Sequence, residues 1–194
     1  MRKFLVSALG VASLMLVSFV PPTLAGDVPM HFDFDGTEYV HRWSQKGQNE
    51  FTPQKETNLN AWNDMVTVNV YDKVTNGDQL ASAANSVLSN YQAAGKILKT
   101  DSKPRTETHP AEHFIAAVLG SPKFLEAVFT RLSLTDSGVG CATIYSHRVY
   151  GEKAGPQMSK WLSENAPAKE KALMAWEKRP SIRDLRELPQ STTP

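Results

Sequence analysis

The segment "THPAEHFIAAVLGS", residues 108–121, holds His109, Glu112 and His113 in the order H-x-x-E-H. In an inverted zincin that order lets two imidazoles hold zinc while the glutamate serves as general base. The chemistry demands a helix, because there side chains i and i+4 lie on one face. Pro110 argues against one. It follows His109 directly and biases that residue towards extended backbone, and "FIAAVLG" resembles a buried strand. The segment is therefore expected to be a loop entering a strand, with Glu112 and His113 solvated at its mouth. The third ligand is open: Glu152, Glu164, Glu170 and Glu177 qualify by type alone.

Two further strings gather groups suited to recognition. "YVHRWS" carries His41, Arg42 and Trp43, and "YSHRVYG" carries His147, Arg148 and Tyr150. A guanidinium beside aromatic rings can take a carboxylate or a flat ring. In a strand, Ser146, Arg148 and Tyr150 share one face, and Tyr145 and His147 share the other. The two H-R strands would form one polar cleft if they were neighbours. The plainer reading pairs Arg148 with an acid on the next strand, such as Glu126, and leaves Tyr150 closing the edge of the core. Ser146 and His147 are adjacent in a strand and point apart, so they make no nucleophile–base pair. No G-x-S-x-G, phosphate-loop or dinucleotide glycine pattern occurs.

The elements that must position these residues alternate in period. "MHFDFDGTEYVHRWS" reads as a hairpin turning at Asp35-Gly36. Phe32 and Phe34 point one way; Tyr39, His41 and Trp43 share a face, with the second strand running on towards Phe51. "MVTVNVYDKV" is a strand with Val66, Val68 and Val70 on one side and Thr67 and Asn69 on the other. Residues 75–95 switch to a helical stripe of Leu80, Ala84, Val87, Leu88 and Tyr91, with Asp78 near the start and Gly95 as the stop. "KILKTDS" is a short strand and "KPRTETHP" a polar loop. Residues 121–132 fit a helix or a strand by periodicity, and the short connection to the next segment favours the strand. "VGCATIYSHRVYG" is a strand. Met158, Trp161 and Leu162 mark one helix, and a second is expected to start at Pro167 and end before Pro180. Their tryptophans, Trp161 and Trp176, read as helix core. "SIRDLREL" holds a further turn or two.

The chain opens "MRKFLVSALGVASLMLVSFVPPTLAGDVP". Arg2 and Lys3 precede an uncharged run from Phe4 to Val20, and Ala25 supplies a small residue for cleavage: a secretory signal over residues 1–25. No cysteine follows the run, so a lipid anchor is not expected. Without that segment 19 basic residues face 20 acidic ones, a net charge of −1. Such balance exerts no long-range pull on nucleic acid or anionic lipid, and neither is an expected partner. Cys141 is the only cysteine, so no internal disulfide can form, and its apolar neighbours predict a buried thiol. A chain exported without disulfides fits the bacterial periplasm.

This order predicts an α+β fold, a twisted antiparallel sheet with helices packed on it. It consists of a single domain over residues 26–180 with a short helix and polar tail over 181–194. With Gly36, "AWNDM" and "RVYG" as landmarks, residues 30–165 resemble exported bacterial proteins with a PsbP-like sandwich. That resemblance implies accessory, chaperone-like or binding roles and carries no catalytic residues over. The expected function is periplasmic binding of a protein or small ligand, without a cofactor. The alternatives are a hydrolase using His109, Glu112 and His113, with or without zinc, and an immunity-type inhibitor of an exported toxin.

Overall fold

Two tight turns set the register of the first strands. In the computed structural model, which describes residues 29–191, Asp35 and Gly36 sit at φ 52° and 75°, and Lys46 and Gly47 at 50° and 84°. Paired left-handed residues give the twist that a two-residue hairpin needs. They join β1 (His31–Phe34), β2 (Thr37–Gln45) and β3 (Gln48–Pro53), and β4 (Asp64–Tyr71) completes the meander. Phe51 thus belongs to a separate strand rather than to a continuation of β2. The Lys46-Gly47 turn carries little of the usual Asn/Asp signal and hides in the polar stretch.

Helix α1 (Gly77–Ala94) follows, its start held by the Asn76 side chain, which accepts from the Gln79 N–H. A second meander comprises β5 (Gly95–Lys103), β6 (Glu112–Gly120), β7 (Phe124–Leu134) and β8 (Gly140–Tyr150). Residues 124–134 are therefore strand, as the short connection predicts. β8 inserts beside β4, giving one eight-stranded antiparallel sheet in the order β1-β2-β3-β4-β8-β7-β6-β5. Helices cover it on both sides, an α+β architecture.

On one face α1 packs against β5, β6 and β7 through Leu80, Ala84, Val87, Leu88 and Tyr91, the predicted stripe. Gly95 does not stop the helix by a left-handed turn. Its φ is −179°, and the chain runs straight into β5; a Cβ there would lie 2.0 Å from the Val118 carbonyl oxygen. Glycine is required by close approach, not by φ. Ile144 faces this side and is only half-buried, because α1 lies mainly over β5–β7.

The other face carries the larger core of Phe34, Tyr39, Phe51, Val66, Val68, Phe129 and Tyr145 beneath α2 (Ala154–Ala175) and α3 (Ile182–Arg186). α2 is one continuous helix with Pro167 inside it, not two helices parted at that residue. The proline forgoes one intrahelical bond. Met158, Trp161, Leu162, Leu173 and Met174 on both sides of it pack on the same sheet face. Lys169 of α2 folds onto the sheet: its Nζ lies 2.7 Å from Asp35 Oδ2 and over the Tyr145 ring. Ile182, Leu185 and Leu188 extend the same core into the C-terminal segment. The leader expected over residues 1–25 lies outside the described residues. Among those described, no helix is long and apolar enough to cross a membrane.

Candidate functional site

A β-bulge divides the first recognition string. The β2–β3 register shifts between His41 and Trp43, so His41 pairs with Phe51 but Trp43 with Glu50. The extra residue changes the parity of the strand. His41 stays on the α2 side, where its Nε2 meets Ser44 Oγ at 2.8 Å. Trp43 moves to the opposite side instead of sharing the face of Tyr39 and His41. Arg42 donates to Thr52 Oγ1 and to the carbonyls of Pro53 and Gln54, which ties down the chain after β3.

In β8 the alternation is as the sequence predicts. Arg148 Nε donates to Glu126 Oε2 at 2.8 Å, and the guanidinium lies between the rings of Trp62 and Phe124, 3.8 and 4.0 Å from their centroids. The Tyr150 hydroxyl donates to the Trp62 carbonyl. His147 faces α2, stacks on Trp161 at 4.1 Å and donates through Nδ1 to Asp64, which also accepts from the Tyr145 hydroxyl. Burial alone would raise the Asp64 pKa, but these hydrogen bonds hold it below the usual range. Strands β3 and β4 separate β2 from β8. The two H-R strings form no common cleft, and their polar groups are taken up by neighbouring protein groups.

The H-x-x-E-H string is likewise divided. His109 lies in the loop before β6. His113 turns towards the α1 face, its Nδ1 3.0 Å from Ser102 Oγ and its Nε2 buried without a partner. Glu112 turns the other way and is not solvated: its oxygens accept from Arg131 Nη2 at 2.6 Å and Nε at 3.0 Å. Burial opposes ionisation of Glu112; Arg131, and then Lys103, override it and lower its pKa. Among the described residues no three metal-ligating side chains cluster.

Glu112 and Arg131 lead instead to a cavity of about 860 Å³ on the α2 side. Its floor is the sheet: Val68, Arg131, Cys141 and Thr143. Its roof runs from Met174 at the end of α2 through the connection to Arg183 at the start of α3, and Lys103, His109 and Asp136 stand at its sides. Four bonds engage Arg131, two to Glu112 and two from Nη1 to the carbonyls of Leu173 and Trp176. Lys103 reaches the Met174 carbonyl and Glu112. Arg179 differs. Its Nη1 donates to Ser133 Oγ at 2.8 Å, and no carboxylate among the described residues forms an ion pair with it. Burial, followed by the nearby Arg131 charge, lowers its pKa. Cys141 on the floor is 3% exposed, and burial raises its thiol pKa.

No protein-family model matches the chain, and no curated protein sequence matches it. Among solved structures, a mutant of the protein Mog1 has TM-score 0.40 and 11% identity, covering 75% of this chain and 88% of that one.

Arg131, Arg179, Ser133 and Lys103 are absent from the residues the sequence singles out. One signal was present for Arg131: it shares the alternate positions of Ala127 and Phe129 in β7, and a charge on an apolar face needs a partner. For Arg179, in the polar run "EKRP", there was none.

Proposed function

We propose that this chain is an exported periplasmic protein that binds a small ligand in the cavity between the sheet and the α2–α3 connection. The observation that carries the reading is the roofed cavity itself, with half-buried Arg179 in its wall and no acid paired to it. The volume lies within the usual range for small-molecule sites, and the lining mixes charged groups with apolar ones. Binding rather than turnover fits the chemistry of the lining. A guanidinium stays protonated and serves neither as acid nor as base, and a deeply buried thiol of raised pKa is a poor nucleophile. Export rests on the leader-like residues 1–25 and on the resemblance of the sequence of residues 30–165 to PsbP-like exported proteins.

Native mass spectrometry of the protein recovered from a periplasmic fraction tests the reading. The expected result is a small-molecule adduct that disappears on denaturation. Protein that carries no adduct when isolated rapidly, or that stays in the cytoplasm with Met1 intact, would overturn it.

A further inference from the structure

The charged groups around the cavity differ in how completely they are satisfied. Arg131 and Lys103 are spent on Glu112 and on the carbonyls that end α2. Arg183 points at Asp184 and is largely exposed. Arg179 alone among these cations has no acid and one protein acceptor, the Ser133 hydroxyl oxygen. A guanidinium carries five N–H groups in a planar fork, so most of its donors are uncommitted. Holding such a cation half-buried beside Arg131 is costly unless an anion neutralises it.

The rest of the lining restricts that anion. Ser133, 1% exposed and behind that lining, accepts from Arg179 and anchors one end of the guanidinium. Asp136 also borders the cavity and disfavours a second negative charge. Val68, Leu134, Met174 and Ile182 offer apolar surface to the remainder of the ligand.

We propose that the cavity takes an organic monocarboxylate, its head group paired with Arg179 and its apolar body lying against Val68, Met174 and Ile182. A carboxylate matches the guanidinium fork with two parallel hydrogen bonds and gives Arg179 the ion-pair partner it lacks among the described residues. The assignment rests on the cavity being the binding site, and it adds the class of ligand.

Titration calorimetry on the mature protein, with decanoate, decyl phosphate and decyltrimethylammonium as probes, decides it. Decanoate should bind saturably with one site. Arg179→Gln should weaken it by at least about tenfold, as loss of a charge-assisted pair requires. Arg179→Lys should retain more binding than the glutamine variant. Ser133→Ala, which frees the guanidinium from its anchor, should weaken binding less than Arg179→Gln, and circular dichroism should show each variant folded. The trimethylammonium probe should bind far more weakly than decanoate. Absence of saturable decanoate binding overturns the proposal, as does undiminished binding by Arg179→Gln. Equal binding of the cationic probe would mean apolar adsorption, and tighter binding of decyl phosphate would mean a phosphate site; either overturns it. A native adduct in protein that ignores decanoate would leave the binding role standing and remove only the carboxylate assignment.

Discussion

Arg131 on β7 donates from Nη1 to the Leu173 carbonyl oxygen, 3.2 Å away at the end of α2. The last carbonyls of a helix have no intrahelical partner and carry partial negative charge. α2 has no basic residue in its own last turn. The sheet supplies the missing cation and also reaches the Trp176 carbonyl, while Glu112 balances its charge. One ion pair thereby seats the helix on the sheet and shapes the wall of the cavity.

Removing the guanidinium should leave Glu112 without its main partner and take one donor each from the Leu173 and Trp176 carbonyls, the former still accepting from the Trp176 N–H. Arg131→Gln is expected to cost about 3 kcal/mol, read as a lower urea midpoint with an unchanged slope. A loss under about 0.5 kcal/mol would show that water replaces the cap.

Glu112 also predicts an acid limb. Its folded pKa lies below the ordinary value of 4.5 because Arg131 and Lys103 favour the carboxylate over the effect of burial. The resulting stability is present above about pH 4.5 and is lost as pH falls through the folded value. Asp64 acts in the same sense below 3.8. Glu112→Gln should be less stable than the parent at pH 7 and show a flatter decline on acidification. Parallel curves would remove Glu112 from the account.

Val68 and Ile144 should differ, although both lie in central strands. Val68 is buried in the α2-side core and Ile144 is half-exposed on the other face. Val68→Ala is expected to cost about 2 kcal/mol and Ile144→Ala about 1 kcal/mol, since part of its side chain already meets water. Chemical denaturation of both variants gives the comparison, and the reverse order would contradict the assignment of faces.

Two glycines offer a sharper contrast. Gly95→Ala drives a methyl into the Val118 carbonyl and should cost at least about 2 kcal/mol. At Gly155, within α2, a Cβ meets nothing within 4 Å, so alanine should stabilise by about 0.5 kcal/mol. Melting temperatures moving in opposite directions would bear this out.

The leader makes its own prediction. N-terminal sequencing of the exported protein should begin at or near Gly26; a membrane-bound product retaining Met1 would contradict cleavage after Ala25.

Local periodicity by itself determined much of this fold. Val66, Val68 and Val70 against Thr67 and Asn69, the alternation around Tyr145, and the stripe from Leu80 to Tyr91 each follow from burying one face of a strand or helix. The Asp35-Gly36 turn was legible because few residue pairs accept two positive φ angles. What escaped depends on partners distant in sequence. The bulge that turns Trp43 away from His41 exists only against β3, and Gly95 is required only by Val118. Pro167 sits inside a helix because a sheet gathers the apolar residues on both sides of it. By sequence alone Glu112 is a solvated acid or a zinc-site base; Arg131, nineteen residues on, makes it half of a part-buried pair. The cavity draws on β4 to β8 and the α2–α3 connection. No sequence window contains such a site, because its cost and its chemistry arise only when charges from separate segments leave water together.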